Sequence, residues 1–188
     1  MMNDVLSLLM IPGMVMMLGA IAVPYMPNHA RQVFMLVAIA ASAYMLSLGA
    51  EVHLSFEVFG QSLILHRADH LTLPFGVIFH IAAAITVIYG WYERSAMTSS
   101  SGLAYGGAAI AAVHAGDLIS LFFWWELTAV TSVFLIFTQG TMRANQAAVR
   151  YLLVQVASGV LLLSGAAFIW HESGSWAFEA MALEGMGP

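Results

Sequence analysis

Cysteine is absent from the 188 residues, and so is lysine: all five basic side chains are arginine. Without a thiol there is no disulfide, no thiol nucleophile and no cysteine-ligated zinc or iron–sulfur site. Charge of either sign is scarce. Only 8% of residues are charged, against about a quarter in soluble domains. Five arginines scattered over short connections make no basic stripe, which argues against nucleic acid as a partner. The opening MMNDVLSLLM carries Asp4 and no basic residue, so it lacks the positive n-region of a secretory signal. The first apolar run is therefore expected to be a permanent helix.

What the chain has is apolar length. Hydrophobic residues make up 61% of it, a composition suited to lipid. Roughly 20 consecutive apolar residues cross a bilayer as a helix, and helices satisfy their own backbone polar groups in hydrocarbon. Runs such as IAAAITVIYGW do not alternate as barrel strands would. The pattern predicts an all-α integral membrane protein of six transmembrane helices in a single membrane domain. They are expected at about 5–23, 33–49, 71–91, 102–115, 117–139 and 147–170. Pro12 and Gly13 should kink the first, and PYMPNHAR should turn after it. Residues 102–138 are apolar throughout, but one helix of that length would be ~55 Å long, against ~30 Å of hydrocarbon. A break is expected at Gly116-Asp117. The stretch 51–67 differs in kind. Val52, Leu54, Phe56 and Val58 alternate with polar residues, and Gly60-Gln61 can turn the chain, so a small β-hairpin outside the membrane is expected. The acidic tail 171–188 is too interrupted to cross.

The arginines test this layout. With six spans, Arg31, Arg94, Arg143 and Arg150 fall on one side. Asp4, Glu51, Glu57, Asp69, Asp117, Glu172, Glu179 and Glu184 fall on the other, with Arg67 alone among them. Positive residues mark the cytoplasmic side, so both termini are expected outside. Were 102–138 a single span, Arg143 and Arg150 would join the acidic side.

Glu126, within LISLFFWWELTAVTSVFLIF, is the most informative residue. A carboxylate at that depth costs several kcal/mol on insertion scales. Burial disfavours its charged form and a nearby cation favours it, so an acid balanced between the two can carry a proton. The plain alternative is a structural acid bonded to a neighbouring helix. His80 reaches a similar depth in the third span, and histidine, titrating near about 6.5, suits a relay. A packed imidazole bonded to a carbonyl explains it equally well. His114 and Asp117 stand where a proton entrance would be, although helix termini need no more than that. Arg150 could serve the cytoplasmic end of a polar path, or simply anchor the helix by its charge. His66 and His70 in HRADH would share a face if helical and could bind a metal, a weak signal in a loop. No metal and no cofactor is expected. Gly102 and Gly106 allow close helix approach, as do Ser158-Gly159 and Ser164-Gly165.

The run AGDLISLFFWWELTAVTSVFLI, followed by RYLLVQVASGVLLLSGA, resembles the antiporter-like, proton-translocating subunits, especially the D-type subunit of Mrp multisubunit Na⁺/H⁺ antiporters. The same family includes the pumping subunits of respiratory complex I and of membrane-bound hydrogenases. LPFGVIFHIAAAITVIYG resembles the third helix of these proteins, and the strong likeness covers roughly 69–170. The resemblance implies about fourteen helices in the full family fold, a hairpin on the outer face after the second helix, and an essential fifth-helix glutamate corresponding to Glu126. It also implies a lysine partner on a seventh helix, which six helices without lysine cannot supply. The expectation is thus the N-terminal half of a split subunit in the inner (cell) membrane of a bacterium. Its partners would be other membrane subunits, one of them a chain bringing the missing helices and the lysine, with H⁺ and Na⁺ as the ions. The alternatives are a proton-pumping subunit of an NADH–quinone oxidoreductase or hydrogenase complex, and a structural accessory subunit.

Overall fold

The computed structural model describes residues 11–48, 54–58 and 61–178. Six α-helices and one two-stranded sheet occur among them: α1 (Met14–Ala22), continued by a 3-10 turn (Val23–Tyr25), α2 (Asn28–Leu48), β1 (Leu54–Val58), β2 (Gln61–His66), α3 (Thr72–Tyr89), α4 (Ala96–Val113), α5 (Leu118–Phe137) and α6 (Met142–Ser173). The protein is an all-α membrane protein. By length and composition, α2, α3, α5 and α6 are each able to cross a bilayer.

Local chemistry sets the helix ends. Gly13 precedes α1 with φ of 89°, a conformation in which a Cβ is strained. Its backbone lies directly on α4, where a Cβ added to Gly107 would meet the Gly13 carbonyl oxygen at 2.6 Å. Ser95, Asp117 and Thr141 cap α4, α5 and α6, each accepting a backbone N–H three residues on, as N-caps do. Gly174, at φ 70°, closes α6 in the left-handed conformation. Pro12 and Gly13 come just before the described start at Met14, and the part of the first span before residue 11, on which the expected kink depends, lies outside the described residues.

Two boundaries correct the sequence reading. The fourth helix, expected from Gly102, begins at Ala96. The TSSS run ahead of the expected span is helical and packed: Ser99 and Ser101 are buried, and Ser100 Oγ donates to the Ala20 carbonyl at 2.6 Å. The sixth helix, expected over 147–170, covers 32 residues. At ~1.5 Å per residue that is ~48 Å, so it extends well past the hydrocarbon. It takes in the polar MRANQ segment, capped by Thr141.

Helix α4 lies between α1, α3 and α5, while α6 rests on α5. One apolar cluster joins α1, α2 and α4 through Met16, Ala20, Met35, Ile39, Leu103 and Ile110. A second joins Ile11, Ala111, Ala115 and Trp124. The connections gather at two ends. At one, Arg31 is buried and donates to the carbonyls of Arg94 (3.1 Å) and Met26 (3.3 Å), while Gln32 Nε2 donates to the Glu93 carbonyl (3.2 Å). This ties the α1–α2 and α3–α4 turns together, on the side the arginine parity assigned them.

At the other end sits the hairpin. Ser55 pairs with Ile64, Phe56 with Leu63 and Glu57 with Ser62, with an irregularity between Leu54 and Ser55. Ser55 and Glu57 are exposed and Phe56 is half-buried, the alternation of a one-faced strand. Its tip at 59–60, and the approach through Val52, lie outside the described residues.

Candidate functional site

Glu126 is the ninth of the 20 residues of α5, near mid-membrane. Its neighbour is α6, which buries only Ala148, Gly159 and Ala166. Small residues let the two helices approach, and the carboxyl lies in their seam. A Cβ on Gly159 would fall 2.9 Å from Glu126 Cδ and closer still to Oε1. That oxygen is buried without a hydrogen-bond partner among the described residues, while the residue as a whole is only half-buried. An enclosed acceptor without a donor is costly, and a proton or a cation arriving at the carboxyl would relieve that cost.

His80, ninth of the 18 residues of α3, reaches the same depth from the hairpin end. It is buried, and its ring is held at both nitrogens. Nδ1 lies 2.7 Å from the Gly76 carbonyl, and Nε2 lies 2.8 Å from Ser42 Oγ. A carbonyl only accepts, so Nδ1 carries the proton and Nε2 of the neutral ring accepts from the Ser42 hydroxyl. Ser42, wholly buried on α2, in turn accepts the Gly13 N–H at 2.8 Å. The chain of donors is complete with His80 neutral. Protonation at Nε2 would make the ring the donor and the Ser42 oxygen its acceptor. Ser42→Ala leaves both the Gly13 N–H and His80 Nε2 without a partner. The expected loss is about 1–3 kcal/mol of stability, measured as a lower unfolding midpoint in detergent. An unchanged midpoint would mean that these hydrogen bonds do not hold α1 to α2 and α3.

His114 ends α4 with no exposure at all. Its Nδ1 donates to the Ile110 carbonyl at 2.8 Å, and Nε2 has no hydrogen-bond partner among the described residues. That edge of the ring faces α3, where a Cβ on Gly76 would lie 3.1 Å from Nε2. Gly76 is also the carbonyl that His80 binds, so the two imidazoles flank one turn of α3. On its other side His114 stacks on His66, with ring centroids 5.1 Å apart and planes inclined at 25°.

Asp117, 1% exposed, has both carboxyl oxygens occupied. Oδ1 accepts the Ser120 N–H (2.7 Å), and Oδ2 accepts the Ser120 hydroxyl (2.9 Å) and the Ile64 N–H. The same break holds the hairpin through Gly116 N–H to the Ile64 carbonyl (2.9 Å) and Arg67 N–H to the His114 carbonyl (2.7 Å). It holds the segment after α6 through Leu118 N–H to Trp176 (3.1 Å) and Phe178 N–H to Gly116 (3.3 Å). Part of the expected acidic tail is thus docked on the helix break, and residues 179–188 lie outside the described ones. Nearby, Arg67 pairs with Asp69 at 3.0 Å. Burial alone would raise the Asp69 carboxyl, but the N–H groups of Thr72 and Leu71, the Arg67 charge and the Thr72 hydroxyl outweigh it and hold the group below its ordinary range.

The sequence candidates therefore fall into separate groups. His80, at the middle of α3 and bonded to Ser42, and His114, stacked on His66, flank one turn of α3, while Asp117 caps α5; the sequence reading did not single out Ser42 and His66 for these roles. Glu126 stands apart against Gly159. Arg150 is exposed on α6, nine residues before Gly159, which is ~14 Å along the helix, so it does not meet the carboxyl. His66 ends a strand and His70 lies in the turn before α3, so the helical spacing imagined for them does not exist.

Comparison with known proteins agrees with this architecture. Residues 115–186 match the family described as NADH:quinone oxidoreductase/Mrp antiporter, TM. NAD(P)H-quinone oxidoreductase subunit 2 of Synechococcus sp. (strain WH7803) is 28% identical over 121 residues, 60% of this chain and 23% of that protein. The protein of the same name from Prochlorococcus marinus (strain AS9601) is 29% identical over 127 residues, 63% of this chain and 25% of its own length. This chain thus spans about a quarter of the length of these curated relatives. Its fold is shared with a chain in the structure of the membrane-bound sulfane sulfur reductase (MBS), an archaeal respiratory membrane complex. The TM-score is 0.75 at 20% identity, covering 90% of this chain and 28% of that one. Over this part of their length, the chain resembles the antiporter-like membrane subunits in both sequence and fold.

Proposed function

We propose that this chain is part of a proton-translocating, antiporter-like membrane subunit within a multisubunit complex, and that Glu126 is its proton carrier. The observation that carries this reading is a carboxyl at the middle of α5 with Oε1 enclosed in the α5–α6 seam and unpartnered among the described residues. No lysine occurs in these 188 residues, so the positive partner comes from helices outside them. His80 with Ser42 stands at the depth of Glu126 as a relay. His114 and Asp117 form the hairpin-side end, His114 with an open nitrogen and Asp117 as the anchor. Arg150 belongs to the opposite, positive end. In a bacterial cell membrane the hairpin side would face outward, because the arginines gather at the other end.

Two driving forces fit this module. The likeness of the FWWEL segment to D-type Mrp subunits supports exchange of Na⁺, or another monovalent cation, for protons. The names of the curated relatives support a pump coupled to quinone-linked redox chemistry carried by other subunits. The experiment is proton movement in vesicles containing the purified complex. Exchange is expected to acidify or alkalinise the lumen on a Na⁺ gradient with no electron donor. A redox pump is expected to move protons only when a donor is oxidised. If neither condition gives transport that depends on Glu126, the protein is a structural subunit and the proton-carrier assignment fails.

A further inference from the structure

We propose that Gly159 is a positioning residue for the Glu126 carboxyl: its missing side chain makes the notch on α6 in which the proton-carrying group sits. This rests on the reading of Glu126 as the carrier. It adds the question of what determines where the carboxyl is held.

Glu126 carries two methylenes, enough to reach across the seam onto the α6 backbone. A Cβ on Gly159 would stand 2.9 Å from Cδ, 3.4 Å from Oε2 and closer to Oε1. Real Cβ atoms essentially never make such a contact, so a side chain there must shift the carboxyl from its present position. Gly159 is, with Ala148 and Ala166, one of the three buried residues among those described on α6. The unpartnered Oε1 is the oxygen pressed against it. Glu126 as a whole is only half-buried, so the carboxyl is not closed off on every side. Where the carboxyl sits in the seam sets where a proton donor or cation must reach it. Proton transfer depends on heavy-atom separations of roughly 2.6–3.2 Å, so moving the carboxyl by about the width of a methyl group has a large effect on rate.

The test uses the assembled complex in vesicles with an entrapped pH-sensitive dye. Gly159→Ala is expected to slow Glu126-dependent transport by about tenfold or more, since misplacement of ~1 Å can cost ~100-fold. Gly165→Ala adds the same methyl to the same helix where nothing lies within 4 Å, and is expected to leave the rate unchanged. Glu126→Asp shortens the side chain and withdraws the carboxyl from the notch. In that background Gly159→Ala is expected to change the rate by less than about twofold, the non-additivity expected of residues in contact. The carboxyl infrared stretch of isotope-labelled Glu126 is expected to move in frequency in Gly159→Ala but not in Gly165→Ala. Wild-type rates in Gly159→Ala, or equal losses in the Glu and Asp backgrounds, would overturn the proposal, as would failure of both Gly159→Ala forms to assemble. Normal transport in Glu126→Gln would instead overturn the carrier reading itself.

Discussion

Replacing Glu126 with glutamine is expected to lower proton transport by about a hundredfold or more, the range lost when a proton-transferring group is removed, with assembly and unfolding midpoint nearly unchanged. Glutamine has the same length and nearly the same volume, so the α5–α6 seam and the contact with Gly159 survive. It cannot take up and release a proton near neutral pH. The amide also places an oxygen or an NH₂ group where Oε1 now lies unpartnered, so the packing penalty is no larger than in the native state. A structural acid would behave oppositely. If the carboxylate held α5 to a neighbour through a charged contact, the amide would loosen assembly and leave transport in proportion to the complex that remained. Measuring rate and yield in one vesicle preparation separates the two, and full activity in the glutamine variant refutes the carrier assignment.

Asp117→Ala is expected to destabilise the protein by about 2–4 kcal/mol. The loss combines an N-cap, worth about 0.5–2 kcal/mol, with buried donors left without an acceptor, about 1–3 kcal/mol. Three donors converge on this carboxyl, from two positions far apart in sequence: the Ser120 N–H and hydroxyl, and the Ile64 N–H. The damage should spread to the hairpin, because Gly116 and His114 hold β2 and Arg67 from the same break. Asp117→Asn is expected to fall between wild type and alanine. Its oxygen can keep the cap, but its NH₂ group then meets the Ile64 N–H, donor against donor. Unfolding midpoints in detergent, with amide exchange at Ile64, test both variants. A midpoint for Asp117→Ala within error of wild type would show that the carboxylate is not the anchor.

The two variants bear on different residues because the sequence carried different kinds of information about them. Glu126 could be singled out directly, since a lone acid inside a mostly apolar helix is costly at that depth and calls for either a role or a bonded partner. The break at Gly116-Asp117 was legible from helix length and arginine parity, which are one-dimensional quantities. The hairpin was legible from its period of two. The start of α4 was not. Thr98–Ser101 are polar and stand ahead of the expected span, and Ser100 binds the Ala20 carbonyl, which lies on a different helix. The reach of α6 was missed for a related reason, since the polar MRANQ segment carries no apolar signal and is held helical by its Thr141 cap.

Composition and periodicity determined that the chain lives in a bilayer, roughly where its helices and hairpin fall, which side carries the arginines, and that Glu126 is the acid to ask about. Those properties depend on the transfer of residues from water to hydrocarbon, which acts on each segment separately. Only the tertiary structure decided that His80 is held by Ser42 and Gly76, that His114 stacks on His66, that Asp117 is fully occupied as an anchor, and that Gly159 receives the Glu126 carboxyl. Each of these joins residues from different elements within a few ångströms. Which faces meet is set by how small residues such as Gly13, Gly107 and Gly159 let helices close on one another, and that pairing is not written in the order of residues along any single helix.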